Sequence, residues 1–438
     1  MIYNIGFVSL GCPKNLVDSE NMIGILYNND YKLTNDLNLA DAIIINTCGF
    51  IEESILESIN KILELSEYKK KRCKKLIVWG CLSERFREEV LKEIPEVDVL
   101  LGVGDYEKII YALKDNKKTF FRDDKKVYFG TNERYIDKSK SYAYIKIADG
   151  CDNNCSYCVI PSIRGRYQSR NFQDILDESK LIVKNGIYEL ILIAQDLTRY
   201  GIDLYNEKRL VELIKELSKI EKLERIRLLY CYPDDIDDKL IEEISNNDKL
   251  VNYIDIPIQH VNDKILTGMN RKSNKKDLEK ILITLRSKIP NVVLRTSIIT
   301  GFPGENNKSH RELCEFIKKY KFDRLGVFKY SDENGSKSYE YSDKINDETK
   351  EKRYIELMEI QNSISKELMK NNLSKVLTCV VEGVADDGIF YFGRSYGETP
   401  DIDGLVYFTS ERELKFNEYV QVKILDNNDY DLIGEVEK

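Results

Sequence analysis

The sequence predicts an α/β protein built from three parts. These are an N-terminal Rossmann-like parallel α/β domain, a central partial (βα)6 barrel of the TIM-like kind, and a C-terminal small antiparallel β-barrel. Two series of short apolar runs, separated by amphipathic helical patterns, predict the two parallel sheets. A last series of short strands separated by Asp- and Gly-rich turns predicts the β-barrel. We place the domains at residues 1–125, 137–370 and 371–438.

The composition is that of a soluble globular protein, with 438 residues, 42% of them hydrophobic and 32% charged. No apolar run approaches the roughly twenty residues needed to cross a bilayer, so we expect no membrane partner. The first residues, MIYNIGFVSLGC, lack the basic region and cleavage site of a signal peptide. With ten cysteines and no export signal, we expect a cytoplasmic protein whose thiols serve as ligands rather than disulfides.

The N-terminal part alternates strand-like and helical patterns. Three runs of strand length, Ile5–Leu10, Ala42–Asn46 and Leu76–Trp79, alternate with helical patterns such as Asp18–Tyr27 and Glu52–Tyr68. This alternation predicts a parallel sheet covered by helices.

A cysteine follows each of these three strands, namely Cys12, Cys48 and Cys81. Parallel sheets bind ligands beyond the carboxyl ends of their strands, so the three thiols can meet at one edge. Cys73 precedes its strand and lies at the other end. The alternative interpretation is three small residues in tight strand–helix turns.

The central part repeats the same alternation six times, which predicts a parallel barrel or part of one. The predicted strands are Tyr142–Ile147, Glu189–Ala194, Arg225–Tyr230, Tyr253–Ile258, Val292–Ile299 and Arg324–Tyr330.

Three closely spaced cysteines, Cys151, Cys155 and Cys158, directly follow the first barrel strand. A structural zinc site normally takes four protein ligands. Three thiolates suit an iron–sulfur cluster with one iron free for a small molecule. Unrelated buried cysteines are the alternative, but three thiols this close in a chain without disulfides predict a metal centre at the barrel mouth.

Polar residues follow other barrel strands at the same predicted mouth. They are Gln195 and Asp196, then Gln259 and His260, then the turn Gly301–Glu305. Taken singly, His260 is typical of a structural histidine and the turn could be an ordinary βα turn. Their common position favours a binding site.

The C-terminal part is acidic. From residue 371 onward there are six Lys or Arg and fourteen Asp or Glu, a net charge of -8 that equals the net charge of the whole chain. Such a surface repels phosphate and favours a basic partner, although a merely solubilising surface would look the same. The helical stretch Asp347–Lys370 is predicted to dock this module to the barrel.

These motifs resemble a known family over nearly the full length. The run CDNNCSYC resembles the radical S-adenosylmethionine signature, the three upstream cysteines resemble the N-terminal domain of the methylthiotransferases, and the C-terminal module resembles their TRAM domain. Six motifs are most similar to the branch that modifies a ribosomal protein: GCPKNLVDSE (11–20), NTCGFIEES (46–54), AQDLTRYG (194–201), IPIQH (256–260), GFPGE (301–305) and PDIDG (400–404).

The resemblance implies two [4Fe-4S] clusters and S-adenosylmethionine as cofactors. Cys151, Cys155 and Cys158 would hold the radical-forming cluster, and Cys12, Cys48 and Cys81 an auxiliary cluster that accepts the sulfur. No side chain is expected to act as a general base. The residues implied to bind S-adenosylmethionine are Tyr157, Gln195, Asp196, His260, Gly301, Pro303 and Glu305, and those implied to bind substrate are Asp401 and Asp403.

The implied reaction adds a methylthio group to the β-carbon of an aspartate in small-subunit ribosomal protein twelve. That basic protein and a reducing electron donor such as flavodoxin or ferredoxin are the expected partners, and no nucleic-acid substrate is expected. Methylthiolation of a transfer RNA adenosine is the first alternative, which a basic C-terminal module would have favoured. A non-catalytic iron–sulfur protein that binds the ribosome is the second.

Overall fold

The computed structural model describes residues 3–124, 126–130 and 134–437, so residue 125, the predicted end of the first domain, lies outside the described residues. The elements of the N-terminal domain are, in chain order, β1 (Asn4–Ser9), α1 (Pro13–Tyr27), β2 (Lys32–Thr34), β3 (Ala42–Thr47), α2 (Glu52–Ser66), β4 (Lys75–Gly80), α3 (Cys81–Glu93), β5 (Val99–Leu101), α4 (Ile109–Lys114) and β6 (Thr119–Phe120).

These strands form one parallel sheet in the order β2-β1-β3-β4-β5-β6. It is a doubly wound arrangement, in which the direction of the chain across the sheet reverses between β1 and β3. β3 is buried along its whole length because the run Ala42–Thr47 is mostly aliphatic and hydrophobic clusters cover both faces of the sheet. The predicted Rossmann-like domain is therefore confirmed.

The central domain begins with β7 (Tyr142–Lys146) and the short pair β8 (Ala148–Asp149) and β9 (Gln168–Ser169). Its other strands are β10 (Glu189–Ile193), β11 (Arg225–Leu228), β12 (Leu250–Asp255), β13 (Val293–Thr300) and β14 (Arg324–Lys329). Its helices are α5 (Ile160–Arg164), α6 (Phe172–Lys184), α7 (Ile202–Tyr205), α8 (Leu210–Ser218), α9 (Asp238–Asn246), α10 (Asp263–Gly268), α11 (Lys275–Lys288) and α12 (Asn307–Tyr320).

The six long strands of this domain pair in parallel and in chain order, β7-β10-β11-β12-β13-β14. The sheet curves without pairing β14 to β7, which confirms the predicted partial barrel. Its interior is apolar and aromatic, with Tyr144, Ile191 and Tyr253 buried in one cluster. Val17 of α1 belongs to the same cluster, so the N-terminal domain packs directly against the barrel interior.

The C-terminal domain is a closed barrel of five strands. Four of its pairings are antiparallel, and the fifth, between the third and the last strand of the domain, is parallel. The strands are β15 (Val376–Val384), β16 (Tyr391–Arg394), β17 (Val406–Thr409), β18 (Tyr419–Asn427) and β19 (Leu432–Val436).

The helix α13 (Asp347–Lys370) joins the two barrels over the bounds that the sequence predicts. Leu357 and Ile364 lie in the core of the central domain, whereas Met369 lies in the core of the C-terminal barrel. With 24 residues it is long, but neither it nor another helix in the described part of the chain is apolar enough to cross a membrane.

Candidate active site

Three cysteines of the N-terminal domain meet at the carboxyl edge of its sheet. Cys12 immediately precedes α1, Cys48 follows β3, and Cys81 is the first residue of α3. Cys12 and Cys48 therefore flank the point between β1 and β3 where sheets of this type bind ligands. Burial raises the pKa of the Cys81 thiol to about 12, and the nearby thiols of Cys48 and Cys12 add to the rise. We call these three residues the N-terminal trio.

Glycines allow the turns that carry this trio to approach each other. Gly80 has a φ of 109°, and a Cβ added to it would lie 2.4 Å from Asn46 Oδ1. A Cβ on Gly49 would lie 2.6 Å from the backbone nitrogen of Leu82. Any larger residue at either position would push the turns apart, so the glycines keep the three thiols close.

The second set of thiols, which we call the barrel trio, lies on the loop between β8 and α5. It consists of Cys151, Cys155 and Cys158, at the carboxyl end of the first barrel strand. The backbone N–H of Asn153 donates to Cys151 Sγ and that of Ile160 donates to Cys158 Sγ, each at 3.5 Å. Burial raises the pKa of Cys151 to about 11 and also raises that of Cys158. A bound metal would hold such thiols as thiolates.

Both trios fit a cluster of several irons better than a single ion. Among the described residues, the group whose ligand atoms all lie within 4.8 Å of one another is His310, Cys314 and Glu356, and neither trio meets that limit. A four-iron cluster is larger than one ion, so its thiolate ligands stand further apart, and three of them leave one iron open. The donor sets therefore fit two [4Fe-4S] clusters.

Arg164 of α5 connects the two trios. Its guanidinium donates to Asp149 Oδ2 at 2.8 Å, two residues before Cys151, and to Asn15 Oδ1 of α1 at 2.6 Å. The same group lies 3.8 Å from Cys81 Sγ of the N-terminal trio. One buried side chain thus touches the surroundings of both sites.

The charges around Arg164 form a balanced buried network. Lys146 Nζ donates to Asp149 Oδ2 at 2.8 Å and also pairs with Asp18, while Gln195 Nε2 donates to Asp149 Oδ1 at 2.7 Å. Burial alone would raise the pKa of Asp149, but the charges of Arg164 and Lys146 hold it well below its ordinary value. Two cations therefore neutralise two carboxylates.

A small apolar cluster also joins the two sites. Cys81 and Val103 of the N-terminal domain pack with Val159 and Ile163 of the barrel domain. Val159 directly follows Cys158, so the loop of the barrel trio lies against the N-terminal trio. The two cysteine sets face each other across the domain interface.

The side chain of Glu305 stabilises the turn Gly301–Glu305. Its carboxylate accepts the backbone N–H of Gly301 and lies 3.3 Å from His310 Nδ1 and 3.4 Å from the Arg353 guanidinium. Burial alone would raise the pKa of Glu305, but the adjacent side chains of His260, His310 and Arg353 lower it to about 2. The carboxylate therefore stays charged and holds the turn in shape.

The same turn packs against the loop of the barrel trio. Gly301 has a φ of 78°, and a Cβ there would lie 2.4 Å from Lys350 Cγ, so the turn requires glycine. Phe302 is buried in a cluster against which Tyr157 of the cysteine loop packs. The structure thus places Tyr157 beside Phe302 of the turn, in which Gly301 and Pro303 are also buried.

Two other predicted site residues position the loops around them. Asp196 is buried and accepts a hydrogen bond of 2.7 Å from Asn153 Nδ2 of the cysteine loop. His260 is also buried, where its Nδ1 accepts the Asn262 N–H at 3.0 Å and its Nε2 lies 3.7 Å from Glu305 Oε1. Binding of a cofactor by Asp196 and His260 stays a prediction.

Asp401 and Asp403 lie away from the other predicted site residues. Asp401 Oδ2 accepts the Tyr142 hydroxyl at 2.7 Å, and Asp403 Oδ2 accepts the Tyr253 hydroxyl at 2.7 Å. Tyr142 begins β7, whereas the cysteine loop follows the end of that strand. The two aspartates therefore contact the amino end of the barrel, and a role in substrate binding stays a prediction.

The sequence analysis missed the polar and charged residues between the two trios. They are Lys14, Asn15 and Asp18 of α1, with Lys146 and Arg164 of the barrel domain, and all are buried. One signal was available in the sequence, since polar residues fill the first turns of the helix that immediately follows Cys12, a predicted ligand.

Several radical enzymes with solved structures have a similar fold. A radical S-adenosylmethionine methyltransferase, TsrM from Kitasatospora setae with cobalamin and a [4Fe-4S] cluster bound, aligns with a TM-score of 0.56 at 14% identity, covering 75% of each chain. The cobalamin-dependent S-adenosylmethionine radical enzyme OxsB aligns with a TM-score of 0.51 at 12% identity, covering 83% of this chain and 56% of its own. At these identities the likeness establishes the fold alone.

Sequence comparisons identify the family. Residues 4–102 match Uncharacterized protein family UPF0004, residues 145–317 match the Radical SAM superfamily, and residues 375–436 match the TRAM domain. Proteins named ribosomal protein uS12 methylthiotransferase RimO are similar over the full length. That of Acetivibrio thermocellus is 51% identical, covering 99% of this chain and 98% of its own, and that of Thermoanaerobacter sp. is 48% identical, covering 99% of each. The chain therefore belongs to the RimO family of ribosomal protein uS12 methylthiotransferases.

Proposed function

We propose that this protein adds a methylthio group to the β-carbon of an aspartate in ribosomal protein uS12. The observation that carries the proposal is the juxtaposition of two three-cysteine sites across one buried guanidinium and one small apolar cluster. A radical enzyme that only removes a hydrogen atom needs one such site, whereas insertion of sulfur calls for a second centre beside it.

S-adenosylmethionine and the two [4Fe-4S] clusters supply the radical and the sulfur when they are bound. The chain's own residues hold and orient them: Cys151, Cys155 and Cys158 at one site, Cys12, Cys48 and Cys81 at the other.

Two buried amide oxygens support a cofactor pocket beside the barrel trio. Asn153 Oδ1 and Gln195 Oε1 have no hydrogen-bond partner among the described residues, although buried polar atoms nearly always have one. They suit the ammonium and hydroxyl donors of S-adenosylmethionine. Tyr157 and the turn Gly301–Glu305 would form the neighbouring wall.

The protein's part in catalysis is to position groups and exclude water rather than to transfer protons. Its only two histidines, His260 and His310, both face Glu305. Neither is therefore placed to act as a general base on the substrate.

The surface of the C-terminal barrel supports a basic protein substrate. Its exposed acidic side chains include Asp386, Asp387, Glu411, Glu413, Asp426, Glu435 and Glu437. Such a surface attracts a basic ribosomal protein and repels transfer RNA. A reducing donor such as flavodoxin or ferredoxin would supply electrons, and ten free thiols suit the reducing cytoplasm.

The reaction can be tested with the anaerobically reconstituted full-length protein. We expect mass spectrometry to find the methylthio group on an aspartate of uS12 and no change in transfer RNA. Modification of transfer RNA alone would refute the proposal. Failure to cleave S-adenosylmethionine at all would indicate a non-catalytic ribosome-binding protein.

The two-cluster arrangement can be tested with Cys81→Ala. This variant should keep about half of the iron and sulfide, because only the N-terminal trio loses a ligand. Cys73→Ala is the matched control, since Cys73 is a buried thiol at the opposite end of the same sheet, and it should keep the full content. Full iron content in Cys81→Ala would exclude this residue as a ligand.

A further inference from the structure

Lys14 of α1 is a buried lysine without a carboxylate partner. Its residue is 6% exposed, and its side chain forms neither an ion pair nor a hydrogen bond with another described residue. Its contact is with an aromatic face, because Nζ lies 3.3 Å from the centroid of the Tyr230 ring. Burying a cation in this way is costly unless an anion completes the site.

The carboxylates around Lys14 are already neutralised by other cations. Asp18 and Asp149 pair with Lys146 and Arg164 in the balanced network. The next carboxylate, Asp255, pairs with Arg295 at 2.7 Å. Lys14 therefore has no carboxylate of its own, and the nearby Cys12 thiol is a group that can compensate its charge.

Lys14 also lies where the two halves of the site meet. It is two residues from Cys12 of the N-terminal trio, and the ring that it contacts follows β11 at the mouth of the barrel. A substrate carbon must lie between the barrel trio and the N-terminal trio to react with both. The Lys14 ammonium thus lies at the place that the reacting carbon must occupy.

The backbone fixes the ring beneath Lys14. Tyr230 has a φ of 65°, which is rare for an aromatic residue, and its N–H donates to Asp255 Oδ2 at 3.0 Å. The ion pair of Asp255 with Arg295 holds that acceptor in place. Strained backbone of this kind is concentrated at functional sites.

We propose that Lys14, resting on the Tyr230 ring, binds the side-chain carboxylate of the substrate aspartate; this inference rests on the proposed function. The carboxylate carbon is bonded directly to the β-carbon, so fixing the carboxylate fixes the carbon that reacts. The ammonium has three donors, and the ring leaves them free for the carboxylate oxygens. Asparagine has the same shape but no charge, so it would leave the cation unpaired and bind weakly.

Binding measurements with two forms of uS12 test this role. One form carries the target aspartate and the other an asparagine in its place, and both are titrated onto the anaerobically reconstituted full-length protein. The wild-type chain should bind the aspartate form about 10- to 100-fold more tightly, as expected for a buried charged hydrogen bond. Lys14→Met should bring the ratio of the two affinities close to one. Tyr230→Leu should lower the ratio because it removes the ring that Lys14 contacts.

Lys75→Met is the matched control, since Lys75 lies at the opposite end of the N-terminal sheet and donates to backbone carbonyls. It should leave the aspartate-to-asparagine ratio unchanged. Iron and sulfide are assayed in each variant. A normal content shows that Lys14 is not needed to neutralise the Cys12 thiolate and hold the cluster, so that a change in the ratio reports on substrate binding.

The outcomes distinguish failure of the proposed function from failure of the assignment of Lys14. A wild-type chain that does not methylthiolate uS12 would refute the proposed function itself. If it does so and both Lys14→Met and Tyr230→Leu keep the wild-type ratio, the assignment of Lys14 is wrong. Loss of one cluster's iron in Lys14→Met would show that Lys14 serves the cluster instead, which also overturns the assignment.

Discussion

Arg164 is the residue on which the contact between the two cysteine sites most depends. It is 4% exposed and belongs to a buried set of two cations and two carboxylates. Removing one cation leaves a carboxylate uncompensated, and the loss of one partner from a buried ion pair typically destabilises a protein by about 3–5 kcal/mol.

We therefore expect Arg164→Met, which keeps most of the side-chain length, to lower the free energy of unfolding by about 3–5 kcal/mol. Urea denaturation of the cluster-free chain measures this, followed by the fluorescence of Trp79, the only tryptophan, which is buried in the N-terminal sheet. Arg412→Met is the control because its pair with Glu418 is at the surface, and it should change the free energy of unfolding far less than Arg164→Met does. Equal effects of the two variants would contradict the buried network.

His310 predicts a dependence of stability on pH. Burial alone would lower its pKa, but hydrogen bonds with Cys314 and Glu356 and the adjacent Glu305 carboxylate outweigh burial and raise the pKa to about 10. Because the folded pKa lies above the unfolded value of 6.5, the contribution of His310 is complete below pH 6.5 and is lost as the pH rises towards 10. The thermal midpoint of the wild-type chain should thus fall over this window.

The comparison with His310→Gln isolates the effect, because the variant cannot carry the charge. The difference in thermal midpoint between the two chains should be largest near pH 6 and should shrink towards pH 10. A difference that stays constant across the window would show that His310 is not charged in the folded state.

The sequence predicted two sets of cysteines as candidate ligands but did not predict the residues that lie between them. Cysteines such as Cys151, Cys155 and Cys158 are recognisable because their spacing is local and their chemistry is narrow. Arg164 acts through Asn15, which is 149 residues away in the chain, and through Cys81. Arginine has many surface roles, so only the fold reveals that this one is buried between two sites.

Among the helices, α1 shows why boundaries are harder to predict than elements. The sequence pattern predicted a helix from Asp18, whereas the helix begins at Pro13, where proline at the first position suits a helix start. Its first turns are polar and yet buried, because they face the charged network rather than water. By contrast, α13 was predicted over its true bounds, and its cap Asn346 accepts the Thr349 N–H at 2.8 Å.

The acidic C-terminal barrel makes a prediction about substrate binding. Asp386→Lys combined with Glu413→Lys reverses two exposed charges and should weaken binding of uS12 by about three- to tenfold at low salt. Titrations at increasing salt should show the difference shrinking, because screening weakens exposed charges. Glu88→Lys combined with Glu93→Lys, on an exposed part of α3, is the matched control. Equal weakening by both pairs would indicate only an effect of total charge.

In the folded chain, both ends of the central barrel are covered by the other two domains. The N-terminal domain covers the carboxyl end through α1, and the C-terminal barrel covers the amino end through Arg394, Asp401 and Asp403. Arg394 is 1% exposed and donates to Glu189 of β10 at 3.1 Å and to Ser141 at 3.1 Å. The sequence predicted the three domains from periodicity, but their stacking depends on pairs such as Arg394 and Glu189, which are 205 residues apart.

Arg394→Met should therefore loosen the contact between the C-terminal barrel and the central domain without unfolding the C-terminal barrel. Glu189 keeps a partner, since Arg227 lies 3.0 Å from it, and the barrel retains its own core around Val381, Phe408 and Val422. Hydrogen exchange followed by mass spectrometry should show faster exchange in residues 399–404 and at the start of β7, while β17 to β19 stay protected.

The same variant separates docking from chemistry. Iron content should match that of the wild-type chain, because all six cysteines of the two trios lie in the other two domains. Modification of uS12 should fall if the acidic barrel guides the substrate. Lys423→Met, an exposed change on β18, should alter neither exchange nor modification. Rapid exchange throughout β17 to β19 in Arg394→Met would mean that the C-terminal barrel is folded only when it contacts the central domain. Its acidic surface would then depend on that contact.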